Sequence, residues 1–161
     1  MKEINVRIVK LEPLRVASAL GFGTEPEGQA IGLLAAWLKD QGRLARLAEH
    51  RFFGFNNPDP SAGSPNYGYE QWVTVGPEAQ GSREVSIQEF PGGLYAVMAI
   101  EGLPSPEKWA RLVRWCEDSP YRQAHHQWLE ESLTPERLLT LLGPEPDFAA
   151  LRFDLYLPVA A

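Results

Sequence analysis

The chain has one cysteine, Cys116, in 161 residues. No internal disulfide can form, so the fold must rest on its hydrophobic core, and a reducing, cytoplasmic setting is expected. No apolar run approaches ~20 residues and no basic-then-apolar leader opens the chain, which argues against a membrane span and against export. Basic residues are scarce: 15 Lys and Arg stand against 21 Asp and Glu, for a net charge of −6. Phosphate backbones require a basic surface, so no direct nucleic-acid partner is expected. Signatures of common chemistry are missing too. Gly21-Phe22-Gly23 lacks the strand–GxGxxG–helix setting and a Walker lysine, which argues against a nucleotide site. Neither Cys116 nor any serine sits in a nucleophile elbow or dyad. His125 and His126, read on a helix, point about 100° apart and cannot share an ion. His126 and Glu130, at i and i+4, read more readily as a surface ion pair. Neither a metal nor a cofactor is expected. The length allows one well-buried core, hence a single domain over 1–161.

What is present is organised around Tyr69-Glu70-Gln71-Trp72-Val73-Thr74-Val75. This stretch is rich in aromatic and β-branched residues and is bounded by Gly68 and Gly76-Pro77, so it reads as a β-strand. It has an echo 84 residues later in Phe153-Asp154-Leu155-Tyr156-Leu157-Pro158-Val159. Aromatic lies over aromatic, acid over acid and valine over valine. Strand side chains alternate between faces. Glu70 and Trp72 therefore share a face in one copy, as do Asp154 and Tyr156 in the other. The opposite face is largely apolar and reads as core. At an offset of 79, Val6-Arg7-Ile8 lies over Val85-Ser86-Ile87, and Val16-Ala17 over Tyr95-Ala96. The chain thus reads as two pseudo-repeats, about 1–78 and 79–161.

Each repeat opens with two short strands separated by a break, at Glu12-Pro13 and at Pro91-Gly92-Gly93. A helix follows in each. Thr24 with Glu27 three residues on predicts a capping box before Ala30, Leu33, Leu34, Trp37 and Leu38. Ser105-Pro106 predicts the second helix start, with Trp109, Leu112, Val113 and Cys116 as its buried stripe. A strand is expected over His50–Phe55, then an exposed Pro/Asn/Ser/Gly loop. In the second repeat, Ser119-Pro120 predicts a further helix through Tyr121, Ala124, Trp128 and Leu129, and Thr134-Pro135 a short one. The sum is an α+β fold: one antiparallel sheet with helices on one face.

The ordered set Tyr67-Gly-Tyr-Glu-Gln-Trp-Val-Thr-Val, Phe90-Pro-Gly-Gly-Leu-Tyr-Ala-Val, Trp128-Leu-Glu-Glu-Ser-Leu and Phe153-Asp-Leu-Tyr-Leu-Pro-Val resembles the GyrI-like domain, also called the AraC-type effector-binding domain, in stand-alone form. The resemblance spans essentially the whole chain. It implies duplicated β-α-β-β units with pseudo-two-fold symmetry, forming one sheet with a ligand cleft on the face away from the helices. It also implies a binder of drug-like, lipophilic or cationic molecules, acting as a sensor or sequestering protein linked to transcription regulation. Other branches are hydrolases of reactive xenobiotics or a gyrase-inhibitory interaction module. The carboxylate expected to meet a ligand is Glu130, with Tyr156 beside it, although the segment leaves the register of Glu130 against Glu131 open.

An acid ringed by aromatics suits a lipophilic cation: the rings supply apolar area and cation–π attraction, and the acid supplies the countercharge. The candidate ligand-binding residues are Glu130, Tyr156, Trp72, Glu70, Tyr95, Asp154, Phe53 and Trp109. For Glu70 and Asp154 the competing reading is a salt bridge to Arg51 or Arg7. The expected partner is a small molecule, with a protein partner as a further option. A monomer or homodimer is expected, without a DNA-binding module because the chain starts at its first strand.

Overall fold

A computed structural model describes residues 4–161. Among the described residues nine strands make one antiparallel system, with β1 Val6–Leu11, β2 Leu14–Gly23, β3 Phe52–Asn56, β4 Tyr67–Thr74, β5 Val85–Phe90, β6 Gly93–Glu101, β7 Arg122–Gln123, β8 Leu129–Ser132 and β9 Arg152–Ala160. The helices are α1 Pro26–Asp40, α2 Pro106–Glu117 and the single-turn α3 Pro135–Leu138, with 3-10 turns at Leu44–Glu49, Leu139–Leu142 and Phe148–Ala150. Strand order is β1-β6-β9-β8-β3-β4-β2-β5, with the short β7 added to β9. The order reads the same from both ends when each strand is exchanged for its counterpart in the other repeat. β3 and β8 meet at the centre.

The first strands are exchanged between repeats. β1 pairs with β6, and β5 pairs with β2. β1 and β2 are joined by only Glu12 and Pro13, yet they lie six strand spacings apart. A flat sheet would separate them by about 29 Å, whereas three Cα steps reach about 11 Å. The link from β5 to β6, Pro91-Gly92, makes the same demand. The sheet must therefore bend round until its ends approach. Gly92 accepts the tightness of this corner: its φ is +78°, and a Cβ there would strike the Leu11 carbonyl.

The bend creates two cores. Outside, α1 and α2 lay Ile31, Leu34, Leu38, Leu112 and Cys116 on Ala17, Phe52, Val73, Met98, Leu155 and Leu157. Inside, Leu11, Val16, Phe53, Phe55, Trp72, Tyr95, Val97, Leu129 and Tyr156 pack on one another. Edge-to-face pairs tie this inner set: Phe55–Trp72 at 4.9 Å and Tyr95–Tyr156 at 5.4 Å between centroids. The face carrying Trp72 and Tyr156 was expected to be open. It is the interior of the bend.

Two helix expectations change. The N-cap of α1 is Glu25, not Thr24, and its side chain makes no capping bond; Pro26 takes the first helical position and sets the boundary. Residues 119–128 form no helix among the described residues. Arg122 and Gln123 instead pair with Ala160 and Val159, and the Ala124 N–H donates to the Pro158 carbonyl. The free edge of β9 offers those bonds. His126 then caps the inner core, its ring 4.8 Å from that of Tyr95. Leu129–Ser132 becomes β8, the counterpart of β3, where a helix had been expected. The start of α2 is as read: Ser105 accepts from the Lys108 N–H, with Pro106 next.

Candidate functional site: a cleft between the two helices

Between α1 and α2, over the central strands, lies a cleft of about 710 Å³. It is on the helix side of the sheet, where the expectation had placed it on the other. Its floor is Tyr69 and Gln71 of β4, Glu130 of β8 and Phe153 of β9. Glu27 and Ile31 of α1 form one wall and Trp109 of α2 the other. Leu138, Leu141 and Phe148, from the segment between β8 and β9, line it as well.

Strand parity decides the contents. On β8, Leu129 and Glu131 point inward and Glu130 points outward into the cleft. The Tyr69 hydroxyl donates to Glu130 Oε1 at 2.9 Å, and Trp109 Nε1 donates to Oε2 at 3.4 Å. Trp109 is in turn packed on Trp128, 5.0 Å between centroids. The carboxyl is open only toward the cleft, and burial raises its pKa from 4.5 to about 7. The Tyr69 and Trp109 hydrogen bonds oppose the rise, and the charge of Glu27 adds to it. Tyr69 is held well above 10, chiefly by burial and then by the neighbouring Glu130, so it remains a donor. At the mouth Tyr67 donates to Glu27 at 2.5 Å. Burial, then that hydrogen bond, raises Tyr67 to about 12.

Tyr69 reaches Glu130 only because Gly54 lies between them. Gly54 of β3 pairs with Gln71 on one side and Glu130 on the other. A Cβ at Gly54 would land on the Tyr69 hydroxyl. Glycine thus leaves a slot across β3 through which the tyrosine ring passes. Phe53 faces Trp72 and Leu129 faces Tyr156. Trp72 and Tyr156 are repeat equivalents, so Gly54 and Glu130, one step on, are equivalents as well. The repeat is broken at its centre: side chain absent in one copy, carboxylate in the other.

Of the eight residues expected to bind ligand, the structure brings Glu130 and Trp109 together in the cleft. Phe53, Trp72, Tyr95 and Tyr156 lie in the inner core, on the far side of the sheet. Asp154, buried, is paired with Arg7 at 2.5 Å. Glu70 accepts from Ser18 at 2.9 Å, Asn57 at 2.8 Å and Trp72 Nε1 at 2.9 Å, which completes it within that face. Glu131 is buried against Arg51 at 2.8 Å and takes the Tyr156 hydroxyl at 2.6 Å. The register question is answered by geometry: Glu130 faces the cleft and Glu131 faces the arginine. Tyr69, Tyr67, Glu27, Phe153 and Phe148 line the cleft and were not among the residues expected to bind ligand. Tyr69 and Phe153 stand on the apolar strand face, where alternation reads core.

The contrast between the two sides is chemical. On the inner side Asp154 and Glu131 each have an arginine, and Glu70 is held by three neutral donors. The charged residues lining the cleft are Glu25, Glu27 and Glu130, with no lysine or arginine among them. None of the three has an ion pair among the described residues.

The fold is a duplicated, bent antiparallel sheet carrying a helix-flanked cleft. The sequence of residues 7–159 matches the model of the Cass2 family, integron-associated effector binding protein, and the chain belongs to that family. A search of curated proteins found no match. Among solved structures the chain is similar to the EcmrR C-terminal domain, with 14% identity, a TM-score of 0.67 and 98% of both chains covered. It is similar to a hydrolase from Listeria innocua at 14% identity and a TM-score of 0.67, covering 99% of this chain and 94% of that one. SAV2435 bound to tetraphenylphosphonium matches at 12% identity and a TM-score of 0.52, covering 98% of this chain and 95% of that one. These likenesses establish the shared α+β fold. No helix of the described residues is long and apolar enough to cross a membrane.

Proposed function

We propose that the chain is a small-molecule sensor or sequestering protein whose cleft binds a lipophilic organic cation against Glu130. One observation carries this reading: the lining holds three carboxylates and no basic residue, beside apolar and aromatic walls. A volume of about 710 Å³ is ordinary for a drug-sized ligand. Trp109 and Phe153 supply faces for a cation, and Glu130 supplies the countercharge. The presence of tetraphenylphosphonium on a protein of the same fold, SAV2435, is in keeping with it. The test is thermal denaturation with tetraphenylphosphonium. Saturating ligand should raise the melting temperature of the native protein and leave Glu130→Gln unmoved. An equal shift in both would remove Glu130 from the site, and no shift in either with a broad cationic panel would overturn the reading.

A second reading, hydrolysis of a reactive electrophile, is favoured by one feature. A carboxyl near neutrality beside a tyrosine hydroxyl has the pKa of a general acid–base. Turnover of a strained-ring electrophile, lost in Glu130→Gln, would support it; slow background hydrolysis alone would dismiss it.

A further inference from the structure

The cleft holds two tyrosine–carboxylate pairs, and the cation reading uses one. The first is Tyr69 with Glu130 at the floor. The second is Tyr67 with Glu27 at the mouth. Tyr67 and Tyr69 are two apart on β4, so their side chains leave the same face about 7 Å from one another. Glu27 is in the first turn of α1. Its neighbour one turn on, Ile31, lines the same wall. Between Glu27, which meets Tyr67 of β4, and Glu130 of β8, the wall is Ile31 and the floor is the Tyr69 ring where it crosses β3. A carboxylate accepts about four hydrogen bonds, so Tyr67 on Glu27, and Tyr69 with Trp109 on Glu130, leave each acid with capacity to spare. A ligand with one positive charge would satisfy one acid and leave the other beside it uncompensated.

We infer, building on the cation reading of the cleft, that its ligand is an amphipathic dication: one cationic centre against Glu130, a second against Glu27, separated on the order of 7 Å or more by a flat apolar spacer. Burial of the spacer supplies the non-directional part of the affinity, and the two acids fix the ends. Glu27 is then a specificity residue, selecting double over single charge.

The experiment is calorimetric titration of the whole protein with benzyl viologen, an aromatic dication, and with N-benzyl-para-phenylpyridinium, its singly charged analogue. The native protein should bind the dication about tenfold more tightly, as suits one added, partly screened charge pair. Glu27→Gln should abolish that preference, bringing the two ligands to about equal affinity. Tyr67→Phe, which keeps the Glu27 charge, should retain the preference. Equal affinities in the native protein, or Glu27→Gln weakening both ligands alike, would overturn the inference while leaving monocation binding at Glu130 intact. Loss of preference in Tyr67→Phe as well would assign the effect to the shape of the mouth and overturn the role of the charge. Binding of neither ligand to the native protein would sink both this inference and the cation reading beneath it.

Discussion

Replacing Glu130 by glutamine should stabilise the free protein while removing its ligand response. Holding a carboxyl near 7 against its ordinary 4.5 costs at most about 3 kcal/mol of folding stability. The cleft is open to water, and glutamine places an amide donor opposite Trp109 Nε1, also a donor. Both reduce the net effect, to about 1–2 kcal/mol at pH 8. For a chain of this size that is a rise in melting temperature of roughly 2–8 °C. The sign follows from which state holds the proton. Below pH 4.5 the carboxyl is neutral folded and unfolded, and its titration gives no gap between native protein and variant. Between 4.5 and about 7 the unfolded chain releases its proton while the folded chain keeps it, so the native protein loses stability as pH rises. Above about 7 the gap is constant. Circular-dichroism melts of both proteins at pH 4, 6 and 8 measure it. A variant less stable than native at pH 8, or a gap that ignores pH, would show that Glu130 supports the fold and would refute the argument.

Three further outcomes follow from the same geometry. Because only ionised Glu130 pairs with a cation, tetraphenylphosphonium affinity should rise about tenfold from pH 6 to pH 8 and be flat in Glu130→Gln, read by calorimetry. Tyr69, which faces this carboxyl, is held well above 10 and keeps its proton across that range. Gly54→Ala should cost about 1–3 kcal/mol by driving Tyr69 from its slot, and it should weaken cation binding; Tyr69→Ala in the same chain should recover part of the stability. Ligand quenching of tryptophan fluorescence should largely vanish in Trp109→Phe and persist in Trp72→Phe, since Trp72 is on the far side of the sheet.

Much of the architecture was legible from alternation and from breaks. The match of Tyr69–Val75 with Phe153–Val159 marked the two strands that flank the central pair, and Ser105-Pro106 marked the start of α2. The segment 119–128 was not legible, because its apolar spacing suits a helix and only the distant edge of β9 offers it strand bonds. That error hid the parity of Glu130 and Glu131, which alternation settles once Leu129–Ser132 is a strand. The choice of faces failed for a different reason. The sheet bends on account of two short links between strands far apart in the order, and no local pattern announces which side becomes interior. An aromatic on the core face reads as packing, so Tyr69 and Phe153 were invisible as cleft residues. The gap that exposes them is set by where α1 and α2 settle.

The Gly54–Glu130 pairing has one more consequence. A two-fold frame would offer a ligand two rotation-related ways to lie across its axis, and two carboxylates there would meet face to face with their repulsion unrelieved. Writing glycine at one of the two related places removes both problems with a single residue. The cleft acquires a head and a tail. Duplication supplied the frame; the point where the copies disagree supplies its direction.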